Sequence, residues 1–330
     1  MSAPRAGKIL VTGATGFVMA NVIRHLAEQG HDVVAADLNP PDPLLRRFVD
    51  GLRGAVTFGQ LDVTDHAAVS SLIREVRPAR AVHGAAITAI PADVERARFL
   101  DTAAVNVVGT LHVLAALADA GVQRVVAVSS GSVYGRRPNL APISEDDTKD
   151  PAALYPMTKW AGDMLARRFA EVHGMDLAVA RLASPFGPFE RDTGSRPLLS
   201  SVEGWATCAV KGERVVVLGD KAYRRDIVYV ADIADGIAAI LLADRLPRDA
   251  YNVGWGHDTS VEDTVTALLR IVPDAKVEWA PGQPSPWIGP GNIPRGPLRC
   301  DRLREDLGWR PRYDLHSGLA AYVDWLRGSG

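Results

Sequence analysis

Short apolar segments alternate with helix-like segments through the first half of this chain, and this alternation constrains the fold more than any other feature. Six segments have the length and composition of buried strands: KILVTG (8–13), DVVAAD (32–37), VTFGQLDV (56–63), ARAVHGAA (79–86), RVVAVSS (124–130) and DLAVARLAS (176–184). Continuous apolar strands separated by helices are typical of a parallel sheet that is covered on both faces. The pattern therefore predicts an α/β fold with a doubly wound parallel sheet.

The segments between these strands predict four helices, near residues 15–29, 65–76, 103–119 and 156–173. The last of them is expected to end at Gly174, because glycine readily adopts the left-handed conformation that closes a helix.

The regular alternation of strand-like and helix-like segments ends after residue 184. Two segments rich in proline and glycine, 185–197 and 281–297, predict long loops. We expect a first domain from residues 1–184 and about 216–250, and a smaller substrate lobe from about 185–215 and 251–330. In this division VVVLG (215–219), RDIVYV (225–230) and a helix over 231–243 return to the first domain.

The composition and charge of the chain limit the kinds of molecule that it is expected to bind. The formal net charge is -2 and charged residues make up 23% of the chain, so no strong field favours nucleic acid or an anionic membrane. The two cysteines, Cys208 and Cys300, form no motif typical of a disulfide framework or a zinc site, and no metal site is predicted. No signal-type segment follows MSAPRAGK, and no apolar stretch is expected to reach the length of a membrane span. We expect a cytoplasmic protein that acts on a small molecule.

A glycine-containing turn follows the first strand, in Thr12-Gly-Ala-Thr-Gly16-Phe-Val-Met19, and leads into a helix. Glycines there permit a tight bend, and the free N–H groups of the helix N-terminus suit a pyrophosphate. Asp37 ends the second strand 24 residues after Gly13, about where a carboxylate accepts the adenosine ribose hydroxyls. An ordinary βα turn is the alternative, but Asp37 in register favours a dinucleotide site. Its charge would repel a 2′-phosphate, which favours NAD over NADP.

Met19 departs from this pattern, because close packing of helix on strand usually requires glycine at this position. Either the helix lies slightly farther from the sheet, or Ala20 makes the close contact.

Tyr155 and Lys159 in Tyr155-Pro-Met-Thr-Lys159 are four residues apart, so they would lie on one face of a helix. A positive charge beside a phenol favours its ionised form, which can accept a proton from an alcohol. Ser130 ends a strand, at the edge where such sheets bind ligands, and could hold a substrate oxygen. The alternatives are a surface Tyr and Lys on an amphipathic helix and a serine that satisfies loop backbone groups.

Taken together, ten segments make the chain resemble the extended short-chain dehydrogenase/reductases, the class that includes nucleotide-sugar epimerases and dehydratases. They are TGATGFVM (12–19), LDVTD (61–65), HGAA (83–86), NVVGT (106–110), SSGSVYG (129–135), YPMTK (155–159), RLASPFGP (181–188), RRDIVYVADIADG (224–236), YNVG (251–254) and DLGWRPRYDL (306–315). The resemblance implies an NAD-binding Rossmann domain and a smaller C-terminal lobe that holds the substrate.

It also implies roles for individual residues. Tyr155 would be the general acid/base, Lys159 would hold the nicotinamide ribose and lower the pKa of the phenol, and Ser130 would bind the reacting oxygen. His83 would be structural. The residues expected at NAD are Gly13, Thr15, Gly16, Phe17, Val18, Asp37, Asp62, Val63, Ala85, Asn106, Tyr155 and Lys159.

The substrate lobe is expected to use Ser184, Arg225 and Arg295. Arg225 matches a position that grips the diphosphate in nucleotide-sugar epimerases, and Arg295 lies near a second one; two guanidinium groups suit a diphosphate. Each could instead be a surface or structural arginine. The chain departs from the epimerases at Ser184, where they usually have Asn, at Lys221, and at Arg295-Gly-Pro, so the sugar is left open.

The resemblance separates the possible reactions. Dehydratases of this class carry an Asp-Glu pair after the catalytic Thr, and related decarboxylases carry a Glu in the same loop, whereas Gly131-Ser132 follow Ser130 here. We therefore expect an NAD-dependent sugar or nucleotide-sugar epimerase that oxidises a secondary alcohol transiently. The alternatives are a dehydrogenase that releases NADH and, third, a non-catalytic NAD-binding protein. Helices near 103–119 and 156–173 resemble the pair that forms a dimer interface in this class, so a homodimer is expected.

Overall fold

A seven-stranded parallel sheet forms the centre of the protein in the computed structural model, which describes residues 7–88, 92–135, 137, 139–283 and 295–328. The thirteen strands are β1 Ile9–Thr12, β2 Val33–Asp37, β3 Val56–Gln60, β4 Arg80–His83, β5 Arg124–Ser130, β6 Leu177–Leu182, β7 Ser184–Phe186, β8 Arg214–Leu218, β9 Arg224–Arg225, β10 Ile227–Tyr229, β11 Ala250–Val253, β12 Thr259–Ser260 and β13 Lys276–Ala280. The central order is β11-β6-β5-β4-β1-β2-β3, and every neighbouring pair in it is parallel. The doubly wound parallel sheet predicted from the sequence is confirmed.

The described residues form twelve α-helices. They are α1 Phe17–Glu28, α2 Pro43–Phe48, α3 His66–Val76, α4 Ala92–Glu95, α5 Phe99–Ala103, α6 Thr110–Asp119, α7 Leu154–His173, α8 Ser201–Val210, α9 Val230–Leu242, α10 Val261–Ile271, α11 Asp301–Leu307 and α12 Leu315–Gly328. A π-helical turn, Ala104–Gly109, joins α5 to α6, and a 3-10 turn, Gly131–Tyr134, follows β5. Gly174 closes α7 in the left-handed conformation with φ of 63°, as predicted.

Apolar faces of the helices cover both sides of the sheet. Helices α1 and α9 pack on one face, in a cluster that contains Ile23, Leu26 and Ile237. Helices α3, α6 and α7 pack on the other, through residues such as Ile73, Leu114 and Ala166. Two covered faces explain why the central strands are apolar throughout rather than alternating. The carboxyl ends of β1, β4 and β5 therefore open at one edge, where the candidate site lies.

A second, smaller core lies beside the sheet. It contains side chains from α8, β8, α10 and α12, with Trp205 and Tyr322 among its largest members. Strand membership differs from the sequence expectation in three places. RDIVYV lies outside the central sheet, because β9 pairs with β12 and β10 pairs with β7 in separate two-stranded sheets. VVVLG does not return to the first domain, because β8 pairs with β13 in a separate two-stranded sheet. The start of YNVG lies in the central sheet instead of the lobe, because β11 pairs with β6. Of the predicted loop 281–297, residues 284–294 lie outside the described residues, as do residues 1–6 at the N-terminus.

The helix built from α5, the π-helical turn and α6 is long and predominantly apolar. It spans Phe99–Asp119 with a mean hydropathy of 1.5, which by length and composition alone is sufficient to cross a membrane. The expectation that no stretch reaches this length is therefore wrong. The core helix of a globular protein meets the same criterion, and this one packs against α3 and α7.

Candidate active site

Tyr155 lies in the first turn of α7 and faces the end of β5. Pro156 is tolerated there because the first turn of a helix has no use for its missing N–H. The Ser130 side chain lies near the Tyr155 phenol and lowers its pKa as a hydrogen-bonding group. Ser130 Oγ already accepts hydrogen bonds from the backbone N–H of Ser132 at 3.1 Å and from its hydroxyl at 2.9 Å. Its own hydrogen is therefore available to Tyr155, so the two residues predicted from separate motifs lie together.

Burial dominates the electrostatics of the phenol. It raises the pKa of Tyr155 above the usual value of 10.0, and the Ser130 hydrogen bond and the charges of Arg196 and Arg295 oppose that rise. In this structure the cost of desolvation exceeds the effect of the Arg196 and Arg295 charges, and the lowering of the phenol pKa by Lys159 stays a prediction. Burial also lowers the pKa of Lys159 to about 8, against the influence of Asp163.

The glycine turn after β1 has the geometry of a dinucleotide cradle. Gly13 has φ of 75°, and a Cβ atom placed on it would lie 2.6 Å from the backbone nitrogen of Ala85. Helix α1 begins at Phe17 after Gly16, and no side chain caps it. Phe17 and Val18 form its first turn. The N–H groups of that turn therefore have no side-chain acceptor, which leaves them available to a phosphate.

Asp37 lies beside this turn, at the end of β2. Its Oδ2 accepts a hydrogen bond from the backbone N–H of Thr15 at 3.0 Å, and its Oδ1 accepts one from Asn39 at 3.0 Å. The carboxylate is thus fixed in orientation at the place where a ribose would follow the pyrophosphate. The residues around Gly13 fit a dinucleotide with free ribose hydroxyls.

Two further residues that were predicted to contact NAD lie on a loop at the same edge of the sheet. Asp62 is exposed, and its Oδ1 accepts hydrogen bonds from the N–H of Thr64 at 2.8 Å and from its hydroxyl at 2.7 Å. Val63 is buried, and its carbonyl accepts a hydrogen bond from His112 at 3.1 Å. Their position after β3 is compatible with the predicted adenine end of the site, but Asp62 is already engaged within its own turn.

Asn106 connects two walls of the site. It lies in the π-helical turn, where its side chain accepts a hydrogen bond from the N–H of Ile87 at 2.8 Å and donates to the Ile87 carbonyl at 2.8 Å and to Thr158 Oγ1 at 3.0 Å. Thr158 in turn donates to the Tyr155 carbonyl at 2.9 Å. Asn106 therefore joins the first turn of α7 to the segment after β4, and its side-chain groups are all used in doing so.

Met19 reaches across to Gly84 at the end of β4. A Cβ atom on Gly84 would lie 2.3 Å from Met19 Sδ and 2.6 Å from its Cγ, and Met19 is only 3% exposed. The structure thus shows how α1 packs against the sheet without a glycine at position 19. The small residue is Gly84, at the end of the facing strand β4, and the Met19 side chain fills the space next to it.

Arg225, Arg295 and Ser184 lie on the substrate side of Tyr155. Ser184 and Arg225 line one cavity with Trp205, Tyr223 and Thr259. The Arg225 guanidinium donates to the Tyr223 hydroxyl at 3.1 Å. Burial and the neighbouring charge of Arg225 lower the pKa of Arg295 to about 10, while Tyr223, Asp226 and Tyr155 oppose the change. Two partly buried positive charges therefore lie next to each other, and that of Arg295 is within electrostatic reach of the phenol.

Asp226 fixes this part of the site. Its buried carboxylate accepts backbone hydrogen bonds from Trp255 at 3.1 Å, from Gly256 at 3.3 Å and from Leu298 at 3.1 Å. These contacts tie β9 and β10 to the segments that follow β11 and precede α11. The position of Arg295, three residues before Leu298, depends on this anchoring.

The strap, residues 187–200, crosses over the site from the end of β7 to α8. Thr88 donates from its N–H to the Ser195 carbonyl at 2.9 Å, and Arg98 donates to the Gly194 carbonyl at 2.6 Å. The buried carboxylate of Glu190 accepts hydrogen bonds from Arg196 at 2.6 Å and from the N–H and hydroxyl of Ser200, both at 2.7 Å. The strap is therefore attached to Thr88 and Arg98 and is braced internally by Glu190.

The strap also carries a residue that the sequence analysis missed. The Arg196 guanidinium lies 5.2 Å from the centre of the Phe17 ring, at the start of α1, and its charge acts on Tyr155. Arg196 thus stands between the dinucleotide cradle and the phenol. No signal in the sequence singled it out, because it belongs to an irregular segment without helix or strand periodicity.

Comparisons with known proteins agree with this arrangement. The model of the NAD dependent epimerase/dehydratase family matches residues 9–254. A UDP-glucose 4-epimerase of Mycolicibacterium smegmatis is 32% identical over 97% of this chain and 98% of its own length. A dTDP-glucose 4,6-dehydratase of Xanthomonas campestris pv. campestris is 28% identical over 96% of this chain and 92% of its own.

Solved structures give the same fold. The UDP-glucose 4-epimerase of Thermus thermophilus, in complex with NAD, has a TM-score of 0.82 and 26% identity, and the match covers 98% of this chain and 100% of that one. The UDP-glucose 4-epimerase of Thermotoga maritima with UDP-glucose has a TM-score of 0.83 and 25% identity, covering 98% and 99%. The turn at Gly13 and the carboxylate of Asp37 fit the dinucleotide that the first of these contains.

Proposed function

This chain belongs to the NAD dependent epimerase/dehydratase family and is an NAD-dependent enzyme of the extended short-chain dehydrogenase/reductase type, and we propose that it epimerises a nucleotide-linked sugar. The observation that carries the proposal is the meeting of Ser130 with Tyr155 at the mouth of the dinucleotide cradle, next to two partly buried arginines. Homologues in this family act on UDP-sugars and dTDP-glucose, which supports a nucleotide-sugar ligand.

Proton transfer is assigned to Tyr155. A substrate hydroxyl held by Ser130 and Tyr155 would give its proton to the Tyr155 oxygen in its ionised form. Bound NAD would accept a hydride reversibly from the carbon that carries this hydroxyl. The phenol returns the proton when the alcohol is restored, so neither the cofactor nor the protein is changed over the cycle. Lys159, one helical turn away and buried, is proposed to hold the nicotinamide ribose.

Substrate binding is assigned to the cavity that Ser184 and Arg225 line, with Arg295 beside it. Its apolar wall includes Trp205 and Val261, and its polar wall includes Tyr223 and Thr259. An apolar surface suits a base, and adjacent guanidinium groups suit a diphosphate, because each can pair with phosphate oxygens bidentately. This distribution supports a nucleoside diphosphate sugar over a free sugar.

Elimination of water is disfavoured by the turn after β5. Gly131 follows Ser130, and a Cβ atom on it would lie 3.0 Å from a Leu298 methyl and 3.1 Å from the Leu182 carbonyl. Ser132 donates its hydroxyl hydrogen to Ser130 at 2.9 Å. A carboxylic acid that could expel a sugar hydroxyl is therefore absent from both positions. This supports epimerisation over dehydration, although relatives of both kinds match the chain.

Net dehydrogenation is the second candidate, because Ser184 and Arg295-Gly-Pro depart from the epimerase pattern. The test is incubation with NAD and a panel of free, UDP-linked and dTDP-linked sugars, with NADH absorbance and product stereochemistry followed together. Inversion without accumulation of NADH is expected. Stoichiometric NADH with no inverted sugar would establish the dehydrogenase instead, and unchanged turnover in Tyr155→Phe would remove the assignment of the base.

We also propose that two copies of the chain associate through α7 and the helix Phe99–Asp119. Of the eleven large hydrophobic side chains that are exposed in the described residues, seven lie on these two adjacent helices: Phe99, Leu100, Val108, Met157, Met164, Leu165 and Val172. Leu100 is 81% exposed. Such a concentration of apolar surface on one side of a protein is typical of an interface between subunits.

Sedimentation measurements test this association. The wild type is expected to sediment as a dimer, and Leu100→Glu combined with Leu165→Glu is expected to shift it to the monomer. Val216→Glu, which changes an exposed hydrophobic residue of β8, serves as the control and should leave the dimer intact. A monomeric wild type at all accessible concentrations would exclude the interface.

A further inference from the structure

Tyr155, Lys159 and Asp163 occupy successive turns of one face of α7. Each is four residues from the next, so their side chains follow one another along the helix. Lys159 is 7% exposed and Asp163 is 3% exposed. The Tyr155 phenol, the Lys159 ammonium group and the buried Asp163 carboxylate therefore follow one another at intervals of about one helical turn.

Two arginines fix the Asp163 carboxylate. Arg181 on β6 donates from Nε to Oδ2 at 2.8 Å and from Nη2 to Oδ1 at 3.1 Å, and its side chain is 1% exposed. Arg167 donates from Nε to Oδ1 at 3.0 Å. A paired geometry of this kind fixes the orientation of the carboxylate, and its removal would leave Arg181 buried without its partner.

Asp163 is the carboxylate that acts on Lys159. On α7 itself, the groups near the lysine are Tyr155 and Asp163. On β4, His83 faces it, and burial lowers the pKa of this imidazole to about 3, so it is neutral. Asn106 and Thr110 on the neighbouring helix carry no charge. Within the described part of the chain, no carboxylate oxygen lies within 4.0 Å of the Lys159 nitrogen. Burial disfavours the ammonium form of Lys159, and the negative charge of Asp163 opposes this effect.

We propose that Asp163 is a positioning residue for proton transfer: its fixed carboxylate keeps Lys159 in the ammonium form beside Tyr155. Arg181 and Arg167 set the strength of this effect, because they draw on the same negative charge. The consequence for turnover rests on the roles proposed above for Tyr155 and Lys159. The consequence for the protonation of Lys159 does not.

Nuclear magnetic resonance of isotope-labelled lysine side chains measures that protonation without any substrate. The Lys159 signal is assigned by its loss in Lys159→Arg. In Asp163→Asn, Lys159 is expected to lose its proton about one pH unit lower than in the wild type, a tenfold change in its acid dissociation constant. Asp163→Glu should restore most of the wild-type value. Arg168→Gln, which changes an exposed arginine paired with Glu171, should leave the titration unchanged.

Arg181→Gln gives a prediction of opposite sign. Removing this arginine strengthens the effect of the Asp163 charge on Lys159, so the lysine should titrate at higher pH than in the wild type. If Asp163→Asn does not fold, the pair Asp163→Asn with Arg181→Gln removes both buried charges together and should shift Lys159 downward. A role confined to packing would shift the titration in neither direction.

The pH dependence of turnover is the second measurement. In Asp163→Asn the alkaline limb of the rate profile is expected to move down by about one pH unit, with kcat near the wild-type value on the acid side. A uniform loss of kcat at every pH, together with an unshifted Lys159 titration, would overturn the proposal. A shifted titration in a protein that turns over no nucleotide sugar would instead retain this inference and reject the proposed function.

Discussion

Met19 and Gly84 form a complementary pair: the thioether of Met19 occupies the space that any side chain at position 84 would need. Gly84 adjoins Ala85, whose backbone nitrogen lies against Gly13, so the pair supports the floor of the dinucleotide cradle. A residue that departs from the usual pattern in α1 is therefore matched by a residue at the end of β4.

Gly84→Ala is expected to destabilise the protein by about 1–3 kcal/mol, because overpacking a buried contact forces the Met19 side chain out of its position. Met19→Ala alone should cost about 2–5 kcal/mol through the cavity that it leaves. The double variant should be more stable than the sum of the two changes implies, since the new methyl occupies space that the smaller side chain vacates. Denaturant unfolding of the four proteins measures the coupling, and strict additivity would show that the two residues do not share this space.

Asp37 should determine the choice between the two nicotinamide dinucleotides. In Asp37→Asn the negative charge beside the ribose is removed while a side-chain oxygen remains to bond the N–H of Thr15. The ratio of NADP affinity to NAD affinity is expected to rise about tenfold, which corresponds to about 1.4 kcal/mol. Calorimetric titration with each dinucleotide measures it. Asp62→Asn, on the neighbouring loop, serves as the control, and an equal change in both variants would point to net charge rather than to position.

Arg225 and its neighbour Arg224 provide a matched comparison for the diphosphate. Arg225 lines the cavity, whereas Arg224 pairs with Asp258 at 3.1 Å outside it. Arg225→Ala should lower the affinity for UDP by about tenfold to a hundredfold, since hydrogen bonds to charged groups contribute about 1.5–3 kcal/mol. Arg224→Ala should leave UDP affinity within about twofold of the wild type on the same basis, because it removes only a partly exposed ion pair. Similar losses in both variants would remove Arg225 from the binding site.

His83 should make the protein sensitive to acid. It is buried between Thr12 Oγ1 at 2.8 Å and Thr110 Oγ1 at 3.0 Å, and burial lowers its pKa to about 3 from the ordinary value of 6.5. The unfolded chain takes up this proton below that ordinary value while the folded protein does not, so stability falls as the pH decreases through the window between them. The slope is about 1.4 kcal/mol per pH unit. His83→Gln should lose this part of the slope in denaturant unfolding measured at several pH values, and a retained slope would assign the acid sensitivity to other groups.

The predictable parts of the site are those whose position follows from regular structure. Ser130 ends β5, Asp37 ends β2, and Tyr155 and Lys159 share a helix face, so strand ends and helix spacing bring them to one edge. Asp163 continues the same spacing and could have been found by extending it. The NAD-dependent family that the motifs resembled is confirmed.

The parts that sequence reasoning could not supply depend on packing between distant segments. Arg196 reaches Phe17 and Tyr155 only because the strap folds back across the cleft. The misassigned segment VVVLG has a strand pattern, but an apolar pattern does not state which sheet the strand joins. Burial of the Tyr155 phenol, which outweighs the nearby positive charges, is likewise a property of the folded site.

The strap also bears on how long a cofactor stays. The carbonyls of Ser195 and Gly194 bind Thr88 and Arg98, and Glu190 braces the strap internally, so a dinucleotide covered by the strap would leave only after these contacts had opened. Residence time would then be set by this opening. Such retention suits an enzyme that regenerates its own hydride acceptor. It would slow an enzyme that must exchange a reduced dinucleotide after each turnover.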